Sequence, residues 1–275
     1  MEFDMADNIR AKGGLQGHAV LVTGGGTGIG MACAARLAAD GAAVTITGRR
    51  ESVLGVAADK IGRLADHGGS VSLVAGDITV EADVARMVEH ALQATGKLNG
   101  CVANAGGGGA PAPYDKMDTD EFMRVLNLNV LGTMLSVKYC LPHMVAAGGG
   151  SFVAMSSLAS HITHPWFGAY CVGKAGVDAM MRNCADENGC HGVRFNAIRP
   201  GFIATEIMEG IPRDSDVYRS YIDNTPLGDA GEPDDVAQLA RFLIGPESRW
   251  ITGQTINVDG GHSLRRGPDF SPWVG

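Results

Sequence analysis

His18-Ala19-Val20-Leu21-Val22-Thr23-Gly24-Gly25-Gly26-Thr27-Gly28-Ile29-Gly30 decides the fold. Its first six residues are the short apolar run of a buried strand. The Ala/Leu-rich stretch from Ile29 to Asp40 has the pattern of a helix that stops at Gly41. In a chain with 40 glycines a glycine run alone is a weak signal, but strand, glycine turn and helix in succession are a specific setting for it. Glycines let the backbone approach a pyrophosphate closely, and the helix N-terminus offers unpaired N–H groups and a partial positive charge. Gly24, Gly26, Thr27, Gly28, Ile29 and Gly30 are therefore candidate dinucleotide contacts, with Gly24, Gly28 and Gly30 foremost.

A second constellation lies downstream. Tyr170 and Lys174 are four residues apart, so on a helix they share a face, and Ser157 precedes the tyrosine by thirteen residues. A phenol titrates near ~10 and transfers protons poorly at neutral pH unless a cation stabilises the phenolate. Lys174 is placed to be that cation, to lower the tyrosine pKa and to reach a bound ribose. A proton-transfer centre joined to a dinucleotide cradle points to redox chemistry.

Together these residues resemble the short-chain dehydrogenase/reductase family, whose glycine motif is spaced Thr-Gly-x-x-x-Gly-x-Gly. The resemblance runs from about residue 15 to 262, through Asp77, Asn104-Ala105-Gly106, Asn129 within Leu128-Asn129-Val130-Leu131-Gly132, Ser157, Tyr170, Lys174 and Pro200-Gly201. It implies a catalytic tetrad of Asn129, Ser157, Tyr170 and Lys174. Asp77, with Ile78, would lie near the adenine, Asn104 would support the central strand, and Ala105 and Gly106 would follow it along the cofactor. Pro200, Gly201, Ile203 and Thr205 would meet the nicotinamide end, Thr205 at its carboxamide. In this picture Asn129 positions a water that links the lysine to solvent.

Short apolar runs near 18–23, 43–47, 70–75, 100–103, 151–155, 193–198 and 255–258 alternate with helix-length segments. This predicts a single α/β domain, a Rossmann-like doubly wound fold with a parallel sheet of about seven strands and helices on both faces. Right-handed crossovers put the ligand crevice at the C-terminal edge of the strands, where all the motif residues map. The division expected is an N-terminal extension over 1–14, the domain over 15–262 and a C-terminal tail over 263–275 that can cross to a neighbouring subunit. In that tail Arg265 and Arg266 read as a solvated pair, and Phe270 and Trp273 as anchors that bury aromatic area.

Composition narrows the class. A net charge of −8 argues against broad attraction to nucleic acid, and no apolar run approaches the ~20 residues of a membrane span. The acidic start Met1-Glu-Phe-Asp-Met-Ala-Asp does not read as a secretory segment, and the six cysteines show no CxxC pair or metal-like spacing. The expectation is a cytoplasmic protein with reduced thiols and no metal, whose partners are small molecules and copies of itself, as the homotetramers frequent in the resembling family imply.

Cofactor choice turns on Thr45-Ile46-Thr47-Gly48-Arg49-Arg50, the end of the second strand. An acid there would bind a ribose 2′-hydroxyl, whereas arginine pairs with a 2′-phosphate. Arg49 therefore favours NADP(H) over NAD(H). Substrate residues are expected among His161, His164, Trp166 and Phe167, and in a second segment through Ile207, Met208 and Ile211, with Ser157 and Tyr170 at the reacting oxygen. His164, Trp166, Ile207 and Met208 are the named candidates. The function expected is an NAD(P)(H)-dependent oxidoreductase interconverting a ketone and a secondary alcohol, with tyrosine as proton donor and acceptor. The alternatives are an NADP(H)-dependent reductase of 3-oxoacyl or enoyl thioesters and a non-catalytic dinucleotide sensor.

Overall fold

A computed structural model describes residues 14–206, 208–265 and 270–274. Most of the proposed extension over 1–14, together with Ile207 and Arg266, lies outside the described residues. Seven parallel strands form one sheet: β1 (Ala19–Thr23), β2 (Ala43–Gly48), β3 (Ser70–Ala75), β4 (Gly100–Ala103), β5 (Gly150–Met155), β6 (Val193–Pro200) and β7 (Thr255–Val258). Their order is β3-β2-β1-β4-β5-β6-β7, so the chain reverses direction across the sheet between β1 and β4. That switch point opens a crevice beyond the strands' C-terminal ends.

The strands read as unbroken apolar runs because both faces of the sheet are covered. Period-two alternation divides their side chains. Val20, Val22, Val44, Ile46 and Val153 meet Cys33 and Leu37 of α1 (Gly28–Ala39), Leu54 and Ile61 of α2 (Glu51–Gly62), and Val236 and Leu243 of α8 (Pro233–Ile244). On the other face Leu21, Cys101, Phe152 and Phe195 meet Met87 of α3 (Glu81–Gln93), Cys140 of α5 (Gly132–Ala146) and Val177 of α6 (Gly168–Asn188). Phe152 and Phe195 stack across neighbouring strands with centroids 5.4 Å apart.

Two ion-pair groups tie the first helix to the last. Arg36 of α1 pairs with Asp234 of α8, and the half-buried Arg241 pairs with Asp40 and Glu247. The α8 start is fixed by a reciprocal capping pair, Glu232 with Asp235, and by Pro233 in its first turn. Of the two further helices, α4 (Thr119–Leu126) leads towards α5, and α7 (Asp216–Asn224) brings Tyr221 to the crevice. The helix expected from Ile29 to Asp40 is α1, and Gly41 follows it with φ +99°, a conformation that ends a helix readily.

Candidate active site

The glycine turn runs from the end of β1 into α1. Gly28 has φ +49°, in the left-handed region that side chains disfavour. A Cβ on Gly30 would lie 2.2 Å from the Gly24 carbonyl oxygen, so Gly30 lets α1 sit against the turn rather than lining the crevice. Thr27 precedes α1 with extended backbone and gives it no side-chain cap, and no acidic residue occupies the first turn. The opening amides of α1 therefore face the crevice available to an anion. Asn104, at the end of β4, donates from Nδ2 to the carbonyls of Thr23 and Gly24 at 3.1 Å each, and the Ala105 amide donates to the Thr23 hydroxyl at 3.0 Å. The turn is thus clamped to the central strand.

A crevice of about 750 Å³ runs from this turn across the sheet edge. At one end stand Arg49, Arg50, Asp77 and Ile78, and along its floor Asn104, Ala105 and Gly106. Asp77 accepts from the amide and hydroxyl of Thr79, so its carboxylate is fixed within its own turn. Pro200, Gly201, Ile203, Thr205 and Met208 form the opposite wall, and a Cβ on Gly28 would fall 3.1 Å from Thr205 and 3.3 Å from Glu206. The segment after β6 therefore folds down over the glycine turn.

Ser157, Tyr170 and Lys174 meet midway along the crevice. Ser157 follows β5, where its hydroxyl accepts from the Ala159 amide at 3.1 Å and also hydrogen-bonds the Tyr170 phenol. Ser156 is turned the other way, donating to the Lys174 carbonyl inside the protein. Lys174 is buried, with Nζ donating to the Met155 carbonyl at 2.7 Å and standing 5.6 Å from the centre of the Tyr170 ring. Burial lowers its pKa to about 8, against the opposing pull of Asp178. The expectation that Lys174 draws the tyrosine pKa down is not met in this arrangement: burial raises the phenol above its usual range, and the opposing influence is Ser157. The ammonium instead spends its shortest bond on the Met155 carbonyl.

Asn129 is buried behind this group, in a single π-type turn over Asn127–Leu131 where α4 passes into α5. Its Nδ2 donates to the carbonyls of Val125 and Gly107 at 2.8 Å each. It does not line the crevice, but a Cβ on Gly106 would lie 2.7 Å from Asn129 Oδ1 and 3.0 Å from Lys174 Nζ, which sets the two side chains on one side of that glycine.

Beyond Tyr170 the walls become aromatic. Phe167 meets Tyr170 edge-on at 5.5 Å and stacks on Phe270 at 5.3 Å with the planes 9° apart. Phe202 stacks on Tyr221 of α7 at 4.3 Å, and Trp273 packs against Phe270 at 5.4 Å. His164 lies among them and is buried. Trp166, expected to touch substrate, does not line the crevice: its φ of +70° reverses the chain and leaves the indole 37% exposed, while the next residue, Phe167, turns inward. Tyr221, Phe270 and Trp273 were not among the expected substrate residues. Tyr221 has helical spacing with Val217 on an amphipathic stretch, a pattern that signals burial without saying against what. Phe270, expected only as an anchor of the tail, is 4% exposed against residues of its own chain.

Comparison with known proteins places this geometry. The family model described as "Enoyl-(Acyl carrier protein) reductase" matches residues 24–263. A glucose 1-dehydrogenase of Gluconobacter oxydans (strain 621H) is 35% identical over 249 residues, 90% of this chain and 92% of that protein. A solved short-chain type dehydrogenase/reductase from Mycobacterium ulcerans is 44% identical, with a TM-score of 0.92 and 94% of each chain covered. A 7α-hydroxysteroid dehydrogenase solved with NADH and 7-oxo glycochenodeoxycholic acid is 30% identical, with a TM-score of 0.85, covering 91% of this chain and 96% of that one.

Proposed function

The chain belongs to the short-chain dehydrogenase/reductase family as an NAD(P)-dependent oxidoreductase acting on alcohols and ketones, and from that premise we propose the division of labour among its residues. The residues fit a dinucleotide: an uncapped helix N-terminus, a glycine turn with no side chain in the way and a long crevice across the switch point. When bound, the nicotinamide supplies or accepts the hydride. Tyr170 gives the proton to the carbonyl oxygen during reduction and takes it back during oxidation. Ser157, already hydrogen-bonded to the phenol, holds the same oxygen in place. Lys174 stands beside the tyrosine ring and would hold the cofactor ribose, and Asn129 fixes the backbone at Gly107, next to the Gly106 that borders the lysine.

The cofactor in this reading is NADP(H). The observation that carries it is Arg49, which lines the end of the crevice after β2, with no carboxylate between Thr45 and Arg50 and no ion pair to another described residue. A guanidinium left free there can take a 2′-phosphate on two N–H groups at once. Calorimetric titration with NADPH and NADH tests it: tighter NADPH binding, lost in Arg49→Asp, supports the assignment, and equal affinities oppose it. The description of the matching family model raises reduction of an enoyl thioester as a second reading, which the complete Ser157, Tyr170 and Lys174 set speaks against because it serves a carbonyl oxygen and not a carbon–carbon double bond.

The substrate is a small or medium apolar ring compound, as the aromatic walls suggest. Free thiols at all six cysteines go with a reducing compartment such as the cytoplasm. Assembly into a homotetramer is supported by Trp250, Leu227 and Leu264, which are 82–89% exposed, and sedimentation at micromolar concentration would read it directly.

A further inference from the structure

His164 and Tyr221 present two polar atoms inside a wall that is otherwise apolar. His164 Nδ1 lies 3.1 Å from the Ile162 carbonyl. A carbonyl can only accept, so Nδ1 carries the proton and Nε2 of the neutral ring is left as an acceptor. Burial holds the imidazole pKa down at about 4, so this tautomer persists through the neutral range. Neither Nε2 nor the Tyr221 hydroxyl has a hydrogen-bond partner among the described residues, although each side chain is only 8% exposed. Both residues line the crevice, and their rings stand 6.4 Å apart between centroids. These two polar atoms, unclaimed by the described residues, are therefore available to a ligand group that enters the crevice.

Building on the carbonyl-reductase reading, we propose that His164 and Tyr221 form a recognition site for a second hydroxyl of the substrate. That hydroxyl donates to His164 Nε2 and accepts from the Tyr221 O–H, while the ring that carries it lies against Phe167 and Phe270. The substrate class is an uncharged ring ketone, or the matching secondary alcohol, bearing a hydroxyl remote from the reacting carbon. A carboxylate is rejected there, since it would face the imidazole lone pair with no cation among the described residues beside His164 and Tyr221. An ammonium could donate to both Nε2 and the phenol oxygen, but its charge would be left unpaired between apolar walls, which disfavours it.

The test compares cyclohexanone with 4-hydroxycyclohexanone, and 1-decalone with its ring-hydroxylated derivatives, in the wild type, His164→Phe and Tyr221→Phe. One readout is kcat/KM and the other is calorimetric binding to protein saturated with NADP+ or NAD+, whichever it binds. At least one hydroxylated ketone should be favoured over its parent by about 10-fold or more. Each variant should erase that preference, lowering the hydroxylated ketone by about 10-fold more than its parent. Equal losses on both members of a pair would assign the two residues to packing and overturn the proposal, as would a wild type that does not discriminate in either readout. If no ketone turns over with either cofactor, the oxidoreductase roles fail, but the binding preference still decides for or against the hydroxyl site.

Discussion

Lys174→Met separates the charge of the lysine from its bulk. In the folded protein burial lowers the Lys174 pKa to about 8, while the unfolded chain keeps the ordinary value near 10.5. Between those values the unfolded state binds more protons than the folded one, so stability rises as pH climbs through 8 towards 10.5. Below pH 8 the full penalty of a buried ammonium applies, and the shift corresponds to roughly 3 kcal/mol. Integrated from pH 7 to pH 9.5, the wild type gains about 2 kcal/mol that the methionine variant cannot gain. At pH 7 methionine removes the penalty but leaves the Met155 carbonyl without its donor, a loss of about 1–3 kcal/mol, so the two proteins are of similar stability there. Urea unfolding at pH 7 and pH 9.5, at one protein concentration, reads the difference. A stability gap between the two proteins that stays constant over this range would show that the lysine is not held in a pKa-lowering site. The variant should lose turnover at both pH values.

Three further outcomes follow from the same geometry. Arg49→Asp should weaken NADPH binding by about 10-fold or more and leave NADH binding within a few-fold, because only the 2′-phosphate meets the new carboxylate; parallel losses for both cofactors would remove Arg49 from phosphate recognition. Gly30→Ala sets a methyl against the Gly24 carbonyl, which backbone movement must relieve, and should cost about 1–3 kcal/mol in thermal or urea unfolding; an unchanged midpoint would contradict the close packing described. Because burial raises the Tyr170 pKa, the phenol stays protonated through neutral pH, so initial rates of ketone reduction should be level from pH 6 to about 8 while alcohol oxidation climbs with pH; oxidation that is level over that span would argue against tyrosine as the base.

The sheet was legible because a doubly covered parallel strand needs apolar residues on both faces, and Ala19–Thr23, Val193–Pro200 and their neighbours supply them in short runs bounded by turns. The polar members of the site were legible through spacing: Tyr170 and Lys174 one helical turn apart, and Ser157 where a strand ends. The substrate end was not. Whether Trp166 or Phe167 faces inward depends on a left-handed backbone at Trp166, and nothing in the residue type signals it. Tyr221 and Phe270 come from segments fifty or more residues beyond Tyr170 and meet only through tertiary packing, where an aromatic in a tail is indistinguishable from one that simply anchors it. The contact that Lys174 makes with the Met155 carbonyl was not legible for a related reason. Helical spacing gives proximity, but the Met155 carbonyl that captures the ammonium lies on a strand.

Turnover by Tyr170→Phe tests the central claim most directly. The hydroxyl is the only atom removed, and the ring keeps its contact with Phe167, so cofactor affinity measured by calorimetry should match the wild type. With a ring ketone that the wild type reduces, nicotinamide absorbance should show kcat lowered by about 10²–10⁴-fold. A variant that binds cofactor normally and turns over at the wild-type rate would mean that the proton comes from elsewhere, and the roles given to Ser157 and Lys174 would fall with it.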